Sequence, residues 1–137
     1  MAIEIALRAL LVADSDVTDL VGTRIYPEMR QQGEDFPAIV YQLVSTQPQN
    51  SMAGGGSTVI TRASMSFDSI AETYAGAKTL ASKVRAAIGD LASNTYSTVR
   101  IYSCFHEGDS AITEDSQVAG DRGVSRIISD YTIWYDN

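Results

Sequence analysis

The chain has one cysteine, one histidine and three prolines, and it lacks an apolar run of about 18 residues. Each shortage removes a class of function. A lone Cys104 has no partner for an internal disulfide, so no disulfide framework holds the fold, and this usage fits synthesis in a reducing, cytoplasmic setting. His106 would have to serve as the sole imidazole base, and no Gly-x-Ser-x-Gly turn presents a serine nucleophile. Cys104 and His106 stand two residues apart, so in an extended strand both project to one face. A packed core thiol is still the expectation for Cys104, because a reactive one needs an activating base beside it. The missing apolar run rules out a membrane-spanning helix. The opening Met1-Ala2-Ile3-Glu4 carries an acid where a signal peptide carries positive charge, so the chain is expected to be neither exported nor anchored by itself.

Basic residues are also scarce. Ten lysines and arginines against seventeen acids give a net charge of -7, so the average surface repels phosphate backbones and sequence-specific nucleic-acid binding is not expected. The only basic cluster, Lys78, Lys83 and Arg85, has the spacing of a solvated helix face. With 45% apolar and 20% charged residues, the composition is that of a folded protein and not of a disordered one. A length of 137 residues suits one domain spanning 1–137.

Apolar residues recur through positions 2 to 13 (Ile3, Leu7, Leu10, Leu11) as one helical stripe, with Glu4 suited to the helix dipole. Asp14-Ser15-Asp16 supplies N-caps for a short helical turn from Val17 to Val21, which Gly22 can end in a left-handed conformation. Pro27 ends the Ile25-Tyr26 segment, Gln31 to Asp35 reads as a polar loop, and Pro37 fixes the entry to a strand from Ala38 to Ser45. Alternation through Ala63, Met65 and Phe67 predicts a second strand paired with the first as a long-looped hairpin. Ser69-Ile70-Ala71-Glu72 has capping-box spacing and opens a predicted helix of about 18 residues, marked by Tyr74, Ala77, Leu80, Ala81, Val84 and Ile88 and closed by Gly89. A polar turn from Ala92 to Thr95 precedes a strand at Val99 to Phe105, and a loop runs from His106 to Gly123. Val124 to Tyr135 reads as the longest strand. Ile127, Tyr131 and Ile133 lie on one of its faces and Ile128 and Trp134 on the other, so it is expected to be central or covered by a partner. The predicted class is α+β: a small, mainly antiparallel or mixed sheet of about four strands carrying an N-terminal helix, a short helical turn and one long helix.

Two irregular stretches invite a functional reading. Thr46 to Ser57 contains Gly54-Gly55-Gly56, but it has no lysine for a phosphate-cradling loop and leads into β-branched residues where a dinucleotide site needs a helix N-terminus. A flexible connector is the reading that remains. Residues 107 to 121 hold Glu107, Asp109, Glu114, Asp115 and Asp121 and no base. An EF-hand register fails at Ala111 from either Glu107 or Asp109, so a solvated or partner-facing acidic loop is expected, with no metal and no cofactor. The spacing of the acids selects no catalytic pair.

In order, the chain offers a helix, Leu20-Val21-Gly22, Arg24-Ile25-Tyr26-Pro27, Phe36-Pro37-Ala38-Ile39-Val40-Tyr41-Gln42, the helix to Ile88, and Tyr131-Thr132-Ile133-Trp134-Tyr135. This order resembles the tail terminator (tail completion) family of long-tailed bacteriophages over nearly the whole length. The resemblance implies a structural virion protein of the phage tail, assembled in the host cytoplasm, and not an enzyme. It implies a homo-oligomer, a hexameric ring seated on the tail tube protein, which halts tube polymerisation and meets the head-tail connector protein while the genome passes through. It brings no catalytic residue. Within such a ring, Gln47 to Ser57 with its Gly54, Gly55 and Gly56 would dock on a neighbour or the tube, and carboxylates among Glu107, Asp109, Glu114 and Asp115 would face the channel and keep DNA from sticking. The alternatives are a neighbouring head-to-tail joining protein and a small non-viral ligand-binding α+β domain, which a pocket with convergent polar groups would favour.

Overall fold

The computed structural model describes residues 2–22, 24–27, 37–49, 60–89, 94–96, 99–114 and 124–136. Helix α1 (Ala2–Ala13) buries Ile3, Leu7 and Leu11 of the predicted stripe completely, together with Ala6, while Leu10 is half-buried against the same core. Helix α2 (Ser15–Val21) starts at Asp14, whose Oδ1 accepts the amide hydrogens of Asp16 and Val17 at 2.9 and 3.3 Å. It ends where the Gly22 amide donates to the Thr18 carbonyl at 2.8 Å. Gly22 has φ 58° and ψ -119°. The positive φ is as expected, but ψ lies outside the left-handed helical region, which makes the position more restrictive to a side chain than an ordinary cap.

The remaining elements are β1 (Ile25–Pro27), β2 (Ala38–Gln49), β3 (Ile60–Ala71), α3 (Tyr74–Ile88), β4 (Asn94–Tyr96), β5 (Val99–Glu114) and β6 (Val124–Asp136). They build a sheet ordered β1-β2-β3-β6-β5-β4. Only the β1–β2 pair is parallel. Arg24 ties the start of β1 to the entry of β2, its Nε donating to the Pro37 carbonyl at 2.9 Å. All three helices contribute to a single core cluster with one face of the sheet, where Met65, Phe67, Tyr131 and Ile133 are buried. From α3, Leu80, Val84 and Ile88 enter this core, each contributing about 1.5–3 kcal/mol of transfer free energy. The class is therefore α+β, and β6 is central, as its two apolar faces require.

Several expectations are corrected. The sheet has six strands where about four were expected, because β1 and β4 are three-residue edge strands too short to show a period. Asn94 and Thr95, read as turn, belong to β4. β2 continues through Thr46 to Gln49, and Pro48 is tolerated because no strand among the described residues lies on that side of it. Ser69 is not a helix cap. β3 runs on to Ala71, Ser69 is fully buried between Ile39 and Ile127, and Thr73 caps α3 instead, accepting the Gly76 amide hydrogen at 3.0 Å. The helix is thus 15 residues long. The stretch from His106 to Glu114, read as loop, is the second half of β5, which at 16 residues is longer than β6. The polar loop at 31–35 and Gly54 to Gly56 lie outside the described residues.

Candidate functional site

Among the described residues no enclosed reactive centre emerges, so the candidate site is a set of surfaces. Two long hairpins define the first. The register aligns Gln49, Ile60, Asp136 and Arg100 at one end of the sheet, and Ala71, Ser125 and Thr113 at the other. The ends of β2–β3 and of β5–β6 therefore project in opposite directions along a sheet roughly 40 Å long.

Of the predicted acidic group, Glu107 and Asp109 are exposed on β5, Glu114 is its last residue, and Asp115 and Asp121 lie outside the described residues. A register shift between His106 and Gly108 leaves Glu107 as the bulged residue, so it does not join Asp109. Asp109 faces the helix side opposite Ser129 and lies 2.7 Å from His106 Nε2. Burial pushes its carboxyl up, but hydrogen bonds from His106 and Ser129 and the nearby charge of Lys78 outweigh that and hold it below the usual carboxylate range. Lys78, Ser82 and Arg85 of α3 close a cleft of about 260 Å³ over this carboxylate. Lys78 and Arg85 of the predicted basic cluster are exposed, as a solvated face requires, yet they also border the acidic strand, whereas Lys83 does not; this approach is invisible while 106–114 reads as loop.

A histidine, an aspartate and a serine together suggest a hydrolytic triad, but the connectivity is wrong for one. Asp109 sits between the other two, and Ser129 is buried and bonded to the carboxylate, whereas a nucleophile needs the imidazole. Cys104 and His106 share the helix-side face, opposite Ile133 and Tyr131, and Cys104 is a buried thiol. The arrangement is a structural tie between β5, β6 and α3. Its depressed carboxyl stabilises the fold above about pH 4, where the unfolded chain's aspartate is ionised, and this contribution fades as pH falls through the lower folded value. Asp109 is more than a third exposed, so Asp109→Asn should cost less than about 1 kcal/mol at pH 7. Urea midpoints measured from pH 7 down to pH 3 should show the gap to wild type closing.

A second cleft, about 380 Å³, lies between α3 and the start of β2, lined by Leu20, Pro37, Ala71, Glu72, Thr73 and Leu80 among others. Its hydroxyls do not converge on a ligand. Thr73 Oγ is occupied by the Gly76 amide and Thr79 Oγ donates to the Ala75 carbonyl at 2.9 Å. Among the described residues no three His, Cys, Asp or Glu side chains form a metal-ligand group, and no helix is long and apolar enough to cross a membrane.

The face of the sheet away from the helices has no layer on it among the described residues. Opposed pairs place Ser45, Ser64, Thr132 and Phe105 in one row there, and Gln47, Arg62, Trp134 and Ser103 in the next. Phe105 is 53% exposed and Trp134 is half-buried. Toward the other end Asp68 pairs with Arg126, beside buried Val40 and Ile70.

A family model described as "Tail completion protein gp17" matches residues 5–136 of the chain. A chain solved within the "Virion of native gene transfer agent (GTA) particle" is similar in fold, with a TM-score of 0.68, 20% identity, and coverage of 99% of this chain and 96% of that one. No curated protein matches.

Proposed function

This chain belongs to the family of tail completion protein gp17, a structural protein of the phage tail, and on that premise we propose that it forms a ring capping the head-proximal end of the tail tube. The ring ends tube polymerisation and offers the surface to which the head attaches. Its partners are further copies of itself, six in the ring, the tail tube protein below and the head-tail connector protein above, and it joins the virion after synthesis in the host cytoplasm. The role is structural, with no cofactor and no substrate. The genome passes through without sequence-specific contact, consistent with the net charge of -7.

The observation that carries this reading is the family match over residues 5–136. The hairpins projecting at opposite ends of the sheet support it, because a ring clamped between a tube and a connector needs contacts on both faces. In this reading the segment with Gly54, Gly55 and Gly56, next to the β2–β3 end, docks on the tube or a neighbour. Glu107, Glu114 and Asp115 line the channel side.

The test is negative-stain imaging of particles made without the protein. Overlong or unfinished tails are the expected result. Finished tails of normal length, unattached to heads, would assign the chain to head-to-tail joining instead. Deleting residues 53–57 should impair tail length control or infectivity, and normal values for both would remove the docking role from the glycine segment.

A further inference from the structure

Helix α1 is apolar around almost its whole circumference, with Glu4 and Arg8 as its only charges. A surface helix ordinarily sets a polar face opposite its buried stripe. Here Ile3, Leu7 and Leu11 fill the core, and at roughly 100° per residue Ile5, Ala9 and Val12 form a second stripe on the opposite side. That stripe is open: Ile5 is 60% exposed and Val12 43%. Exposed Arg8 sits at its margin.

On the other side of the molecule, the helix-free face carries an aromatic patch. Phe105 and Trp134 lie among the short side chains of Ser45, Ser64 and Ser103, and Tyr102, at the bulge between Ile101 and Ser103, joins them through Asp136. Tyr102 reaches Asp136 from its hydroxyl at 3.4 Å, with the Arg100 guanidinium 5.6 Å from its ring centre. Aromatic residues together with arginine are the side chains enriched at protein interface hot spots, and a polar rim is usual around them. Exposed Asp130 and half-buried Asp136 bracket the patch.

The two surfaces lie on opposite sides of one domain, so they cannot cover each other within a chain. Between two copies in the same orientation they can. The cation beside the aliphatic stripe then meets the carboxylates beside the aromatic patch, and the charges are complementary. Such a contact joins two different patches, leaves one of each free at every step, and closes into a ring when the rotation allows.

We propose that the outer stripe of α1, Ile5, Ala9 and Val12 with Arg8, docks on the Phe105–Trp134 face of a second copy. This is the subunit contact of the ring described above, and it rests on that reading.

The experiment uses the full chain as wild type, Ile5→Glu and Phe105→Glu, followed by light scattering after gel filtration, with circular dichroism to verify folding. Both substituted positions are exposed, so both variants should keep the wild-type spectrum. Each variant alone should associate at least tenfold more weakly than wild type and run as a monomer. Mixed one to one, they should form a heterodimer and nothing larger, because each retains one intact surface. Rings formed by either variant, or a mixture that stays monomeric, would overturn the pairing while leaving the ring itself standing. A wild-type protein that forms no ring, alone or on isolated tail tubes, would remove the ring reading and this contact with it. Should a variant misfold, Ile5→Cys and Phe105→Cys in a Cys104→Ala background replace it. An intermolecular disulfide between the two confirms the contact and its absence in assembled rings rejects it.

Discussion

Phe67→Ala should destabilise the domain by about 4 kcal/mol, the range for truncating a buried aromatic ring. Phe67 sits in the middle of β3, fully buried, with its ring centre 6.1 Å from that of Tyr41 on one side and 5.5 Å from that of Tyr131 on the other. The Tyr131 contact is edge-to-face at 89°, a geometry worth about 0.5–1.5 kcal/mol beyond area burial. Truncation removes ring burial, both aromatic contacts and the support Phe67 gives to strands on either side, leaving a cavity that rigid sheet neighbours cannot fill. Domains of this kind have about 5–15 kcal/mol in all, so the variant should keep a folded majority with roughly 1–11 kcal/mol left, and its loss is best read as a lowered midpoint in urea titration near 15 °C. Phe67→Leu keeps most of the volume and should cost less than half as much. A loss below about 1.5 kcal/mol for the alanine variant would mean that the three rings do not form the centre of the core.

That core was largely readable from the sequence, because α1, α3, β3 and β6 carry full periods. Ile3, Leu7 and Leu11 on one helix and Ala63, Met65 and Phe67 on one strand repeat often enough to fix their faces. β1 and β4 were not readable. Three residues such as Ile25-Tyr26-Pro27 contain no period, and their pairing is decided by β2 and β5. The second half of β5 was hidden for a different reason. Glu107, Gly108, Asp109 and Ser110 have loop propensities, and they hold extended backbone because β6 supplies a hydrogen-bonding partner from Asp130 to Ile128. At Ser69 a correct local pattern lost to tertiary context: the capping-box spacing is present, but β3 has strands on both sides of it and continues. The candidate site follows the same logic. Glu107 and Asp109 could be named but not placed, since a loop reading sends both to solvent while the strand turns Asp109 toward α3. The aromatic face needed knowledge of which side of β6 the helices cover. The outer stripe of α1, Ile5, Ala9 and Val12, goes unread in the sequence because Ile3, Leu7, Leu10 and Leu11 already account for the helix as one apolar face, and the exposure of Ile5 and Val12 is what marks it.

Arg126→Met carries the second large effect, about 2–3 kcal/mol, for a reason that has little to do with the strength of the ion pair. Asp68 and Arg126 meet across β3 and β6, with side chains 14% and 30% exposed, beside Val40 and Ile70, which are themselves buried. Removing the guanidinium leaves a carboxylate largely withdrawn from water without its counter-charge, and that desolvation cost governs the loss. Replacing both partners, Asp68→Leu with Arg126→Met, removes the stranded charge and should recover most of the stability, since apolar residues of similar size suit neighbours such as Ile70 and Ile128. The two single variants and the double variant form a thermodynamic cycle measurable by urea unfolding, with a coupling energy expected above about 1 kcal/mol. Raising salt from about 0.05 to 0.5 M should change that coupling little, because screening acts weakly on a pair held out of solvent. If Arg126→Met costs no more than an exposed ion pair, about 0.5 kcal/mol, then this end of the helix-free face is wet. Because the pair lies at the opposite end of that face from Phe105 and Trp134, losing it should lower the stability of each subunit while leaving the contact between subunits in place, so assembly measured well below the melting temperature should match wild type.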